Sequence, residues 1–143
     1  MKRQDCVSCG ASNGMQPFEG RDFEVDFKES RALVPGLSGW QCENCSEIEF
    51  DHPSAHRYSQ ASDHLVYAHR QRIAEEMKRI RRKLHFTQRK AVELLSGGGH
   101  NAFSRYERAE IEPPKPLFVL MRLLDRYPEL VDDIKKINEQ AIV

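Results

Sequence analysis

Apolar residues recur along this chain with two different periods. In the first third, Phe23, Val25 and Phe27 alternate with Glu24, Asp26 and Lys28, the pattern of a half-buried β-strand. A second strand is predicted around Arg31 to Val34, before the turn signal Pro35-Gly36, and Ile48 and Phe50 suit a short last strand. Phe23, Phe27 and Trp40 read as core. From Asp63, a good N-cap, the period changes to that of a helix. Val66, Ile73, Met77, Ile80 and Leu84 form one stripe, with Arg70 completing the spacing.

Four more helices follow. Thr87 is an acceptable N-cap for a short helix whose stripe is Ala91, Leu94 and Leu95, and Gly97-Gly98-Gly99 stops it. A second short helix starts near Asn101 and anchors itself through Ala102, Phe103 and Tyr106. Pro113, Pro114 and Pro116 set up a helix with Leu117, Leu120, Met121 and Leu124 inward. Pro128 precedes the last one, which carries Leu130, Val131, Ile134 and Ile137. Residues 51–62 are polar and without periodicity, so they read as a linker. The expected fold class is α+β: a small β domain at 1–50, a linker at 51–62 and a five-helix domain at 63–143.

The net charge of zero is a sum over unlike parts. Residues 1–60 carry 6 Lys and Arg against 10 Asp and Glu; residues 61–112 carry 11 against 7; residues 113–143 carry 5 against 5. The basic third contains Lys78, Arg79, Arg81, Arg82 and Lys83 at the end of the long helix. Such cations suit a helix C-terminus and equally a phosphate backbone. There is no run of 18 apolar residues to span a membrane, and Met1-Lys2-Arg3 is followed by no apolar core of a signal peptide. A cytoplasmic protein is expected.

In that compartment thiols stay reduced, so paired cysteines favour metal over disulfides. Cys6-Val-Ser-Cys9 and Cys42-Glu-Asn-Cys45 are two C-x-x-C knuckles separated by 32 residues. Together they offer the four sulfurs of a closed, tetrahedral, structural zinc site, one Zn2+ per chain. A redox role for either pair lacks the βαβ context that such motifs need. A segment of about 50 residues holds little core, so the metal would substitute for missing burial. His52, His56, His64 and His69 cluster in sequence without a ligand geometry and read as solvated.

The helix after the glycines sorts into two faces. Asn101, Ser104, Arg105 and Arg108 fall at i, i+3, i+4 and i+7. Asn pairs with adenine and Arg with guanine through two hydrogen bonds each, so this stripe suits the recognition helix of a helix-turn-helix. The plain alternative is a helical hairpin with a solvated face. Asn101 and Arg105 are the base-reading candidates, with Thr87, Gln88, Arg89, Lys90, Ser104 and Arg108 in support.

The combination resembles the MqsA (YgiT-type) antitoxins of bacterial type II toxin–antitoxin systems. The resemblance rests on both knuckles, on Val34 to Cys45, on Arg82-Lys-Leu-His-Phe-Thr-Gln88, on Gly97 to Glu107 and on Leu123 to Leu130. It implies an N-terminal zinc domain that binds a small ribonuclease toxin. It also implies a C-terminal Xre-type helix-turn-helix, homodimeric through that domain, that represses its own operon at a palindromic double-stranded DNA operator. His100 departs from the apolar residue the family carries there, and the acidic stretch Phe23 to Glu29 matches no toxin-contact motif. The alternative function is a stand-alone zinc-containing Xre-type regulator without a toxin partner. No constellation of nucleophile and base, and no paired carboxylates, points to an enzyme.

Overall fold

The computed structural model describes residues 1–140; the last three residues of the expected 63–143 domain lie outside the described residues. It is an α+β chain that divides into two compact units, Met1–Val66 and Tyr67–Val143. The first holds a three-stranded antiparallel sheet in the order β1-β2-β3, with β1 at Met15–Phe27, β2 at Ser30–Cys42 and β3 at Ile48–Phe50. The strands are longer than the alternation predicted, because Gln16, Pro17, Glu19 and Gly20 carry too few apolar side chains to advertise them.

The hairpin turns at Lys28 and Glu29, between the paired residues Phe27 and Ser30, with Lys28 at φ 54°. Pro35-Gly36 is therefore not the turn it suggested. It lies inside β2, where the pairing with β1 shifts register between Phe18 and Phe23. Gly36 has φ 67° there, and its N–H donates to Asp22 Oδ1 at 3.0 Å. A proline and a left-handed glycine fit a bulge as well as a turn, and the ladder on both sides decides between them.

Residues 51–62 are not an irregular linker but the opening turns of α1, which runs from His52 to Lys83. Asp51 caps it, accepting a hydrogen bond from the Ser54 N–H at 2.9 Å, and Pro53 sits in the first turn where its missing donor costs nothing. Ser54, Tyr58, Ala61 and Leu65 follow at helical spacing and face the sheet. Hydropathy along the chain does not mark this stripe, because its first buried member is a serine. The Ser54 hydroxyl accepts the Ser38 N–H at 2.8 Å, which satisfies both groups. Val25, Val34, Leu37 and Leu65 form the buried core here, with Phe23, Phe27, Phe50 and Tyr58 packed half-buried around it.

The second unit is helical: the rest of α1, then α2 at Gln88–Ala91, α3 at Ala102–Glu107, α4 at Lys115–Arg126 and α5 at Leu130–Glu139. Thr87 caps α2 as expected, its Oγ1 accepting from the Lys90 N–H at 3.1 Å. After Ala91 the helix widens into a π-helical segment, Val92–Ser96. This extra residue per turn rephases the inward face, so Val92 joins Ala91 in the core while Leu94 and Leu95 are only half-buried. Gly97 then takes φ 64°, ψ −169°, a conformation essentially closed to residues with a Cβ.

Ile73, Met77 and Ile80 from α1 pack with Ala91, Val92, Phe103, Tyr106, Leu117 and Met121. Phe103 and Tyr106 meet edge to face at 5.8 Å. Helix α5 contributes no buried residue, and Ile137 is exposed.

Candidate metal centre and nucleic-acid interface

The two knuckles are built alike. In each, the N–H four residues after the first cysteine returns to that cysteine's carbonyl: Gly10 to Cys6 at 2.8 Å and Ser46 to Cys42 at 3.0 Å. The donor has positive φ in both, 76° and 66°. Glu43 N–H to Gly14 O at 2.9 Å joins one knuckle to the loop of the other. Gly14 has to be glycine, since a Cβ there would lie 2.7 Å from the Ala11 Cβ and 3.3 Å from Cys42 Sγ. Arg3 grips Glu43 through two bonds of 3.1 Å, and Trp40 Nε1 donates to Lys2 O at 2.8 Å.

All four Sγ atoms lie within 4.8 Å of one another. Cys6 to Cys45 and Cys9 to Cys42 are both 3.7 Å. A tetrahedral ion with metal–sulfur bonds of about 2.3 Å requires ligand sulfurs about 3.8 Å apart, so the donor set fits a metal ion. Cys6 and Cys42 are buried, whereas Cys9 and Cys45 are exposed.

The surroundings favour charge on one side of the cluster. Asn44 Nδ2 donates to Cys9 Sγ at 3.4 Å, and this bond, followed by the Ala11 backbone, lowers the Cys9 thiol to about 6. Around Cys45 the Glu47 backbone N–H pulls downward, but desolvation and the three neighbouring sulfurs outweigh it and push this thiol up to about 12. Four thiolates this close need a cation to offset their charge.

In the second unit the structure puts Asn101, Arg105 and Arg108 on the surface and leaves Ser104 half-buried. Their helix is anchored from behind by Phe103, fully buried, and Tyr106. Asn101 stands at the N-cap of α3 without making a capping bond through its side chain. On α2, Thr87, Arg89 and Lys90 are exposed and Gln88 is half-buried; Arg89 and Lys90 each lie 3.8 Å from Glu93.

The basic run of α1 divides differently from its sequence. Arg81 is largely withdrawn from solvent, its side chain 11% exposed, and doubly bonded to Glu107 at the end of α3. Arg79 and Lys83 converge on Asp125 of α4, at 2.7 and 2.9 Å. Among the described residues, only Lys78 and Arg82 of the five are not taken up in such pairs, and both are exposed. Residue spacing alone does not distinguish a cation that meets solvent from one that meets a carboxylate 26 or 42 positions on.

The four-cysteine centre on a small sheet is followed by a helical unit that presents Arg89, Lys90 and Arg105 of its short helices to solvent. The chain belongs to the MqsA antitoxins: the family model described as the antitoxin component of a bacterial toxin–antitoxin system, MqsA, matches residues 4–135. It is 31% identical over 117 residues to antitoxin MqsA of Escherichia coli (strain K12), covering 80% of this chain and 88% of that protein. Among the described residues, no helix is long and apolar enough to cross a membrane.

Proposed function

We propose that this antitoxin binds a small ribonuclease toxin through its zinc-holding first unit. Through its second unit it represses its own operon at a palindromic site, as a cytoplasmic homodimer. The observation that carries the DNA half is the exposure of Asn101, Arg105 and Arg108 along a helix whose opposite side is locked by Phe103 and Tyr106. Rigid anchoring holds bidentate donors still, which base reading requires. In this reading α2 crosses the DNA backbone with Thr87, Gln88, Arg89 and Lys90, α3 enters the major groove, and Ser104 and Arg108 flank the base-reading pair.

Family membership supports the toxin half, together with the outer edge of β1, which beyond its bridge from Met15 to Gln4 lies at the end of the sheet order and offers a partner strand its backbone. The cation is zinc, four-coordinate with Cys6, Cys9, Cys42 and Cys45 and structural, because no coordination position is left open. Self-association falls to the second unit, where Val119 and Leu123 of α4 and Tyr127 at its C-cap recur every fourth residue and stay exposed at 55%, 44% and 45%.

Co-expression with the product of a neighbouring small basic protein gene tests the toxin half. A stable complex and restored growth are expected. Absence of both, with operator binding intact, would replace this half with the stand-alone regulator.

A further inference from the structure

Beyond the C-terminus of α3 the chain does something a helix end rarely does without glycine. Ala109, buried at 5% exposure, adopts φ 58°. The Glu110 N–H bonds back to Arg105 O at 3.1 Å and the Ala109 N–H to Tyr106 O at 3.1 Å, the two bonds of a Schellman motif. That motif brings the residue after the left-handed one over the last turn, where an apolar contact is usual. Here the two residues are Glu110 and Arg105, and the contact is ionic: Arg105 Nε to Glu110 Oε2 at 3.4 Å. The other carboxylate oxygen takes Arg108 Nη1 at 3.0 Å.

The atoms used matter. Glu110 engages Arg105 from the side, through Nε. Among the described residues no hydrogen bond engages the two terminal nitrogens of Arg105, the pair that guanine O6 and N7 would accept from. A guanidinium held at Nε keeps its fork pointed, and less side-chain freedom is lost when it meets a base. The same carboxylate sets a negative charge between two arginines that would otherwise attract any phosphate.

We propose that Glu110 is a specificity-determining residue for DNA reading. It orients Arg105 toward a guanine and holds down sequence-independent attraction by Arg105 and Arg108. This rests on the proposal that Arg105 reads a base. Glu110 touches no DNA base itself and acts through the arginines.

The test compares full-length protein, Glu110→Gln, Arg105→Ala and the double variant. Each is titrated against a duplex of the protein's own upstream region, the same duplex with single guanines replaced, and an unrelated duplex, over a range of salt. Glu110→Gln should bind the unrelated duplex more tightly, with a salt dependence steeper by about one counterion. It should discriminate the responsive guanine roughly twofold to fivefold less well, about the upper reach of an exposed charge pair. In the Arg105→Ala background the same change should leave guanine discrimination where it is.

Unaltered discrimination in Glu110→Gln would overturn the proposal, as would an equal loss with and without Arg105. If Arg105→Ala itself leaves every guanine substitution as costly as before, the base-reading assignment of Arg105 falls, and that result is separate from a failure of Glu110 alone.

Discussion

Arg81 of α1 and Glu107 of α3 form a largely buried, two-pronged ion pair, Nε to Oε2 and Nη2 to Oε1, both 2.8 Å. The side chains retain only 11% and 4% of their exposure. The third guanidinium nitrogen, Nη1, donates to Phe86 O at 2.8 Å, just ahead of α2. One residue thus ties the long helix to both short helices and fixes the angle at which α3 presents Asn101 and Arg105. Removing one partner leaves a buried charge uncompensated, which costs about 3–5 kcal/mol. Glu107→Ala should therefore lower stability by about that amount in urea unfolding of the full chain. A loss below about 1 kcal/mol would mean water reaches the pair.

The metal centre makes a separate prediction. Elemental analysis should find one zinc per chain, and Cys42→Ser, which removes a buried ligand, should abolish stoichiometric binding. Chelation should also remove the ordered environment of Trp40, which packs beside Cys6, Met15 and Cys42. Tryptophan fluorescence unmoved by metal removal would contradict a structural role.

Asp125 accepts from Arg79 and Lys83, and these bonds hold its carboxyl well below the usual carboxylate range. Arg79 likewise lowers Glu76. For a carboxylate whose pKa is lower folded than unfolded, the stabilisation is complete above the unfolded value of about 3.9. It fades as pH falls from there through the folded value. Asp125→Asn should lower the melting temperature at pH 7, and the gap from the natural protein should narrow below about pH 4. A gap that persists undiminished at pH 2 would show that the asparagine disturbs packing instead.

The exposed row on α4 predicts an oligomeric state. Leu123→Glu puts a charge in the middle of Val119, Leu123 and Tyr127, and should convert a dimer to a monomer in analytical ultracentrifugation. A variant that sediments as the natural protein does would move the interface elsewhere.

Much of this is legible in the sequence, for identifiable reasons. The cysteine spacing is local chemistry, and the structure brings the four sulfurs together. Thr87 as a cap and Phe103 and Tyr106 as anchors are short-range patterns, and each is found as expected. What escaped reading depends on distant partners. Pro35-Gly36 is a bulge only because β1 continues beside it, and residues 51–62 are helical because Ser54 and Tyr58 have a sheet to pack on. In the sequence Arg81 reads as one more phosphate contact, and only the fold sets Glu107 against it. Glu110, two residues beyond Arg108 and touching both it and Arg105, carried no sequence signal at all.

The central claim is that α3 reads DNA through Asn101 and Arg105, and specific affinity for the protein's own upstream region tests it most directly. Asn101→Ala and Arg105→Ala should each weaken specific binding by about 1–3 kcal/mol, while affinity for unrelated duplex falls little in Asn101→Ala, which removes no charge. Specific affinity unchanged in both variants, with the fold intact by circular dichroism, would contradict the account.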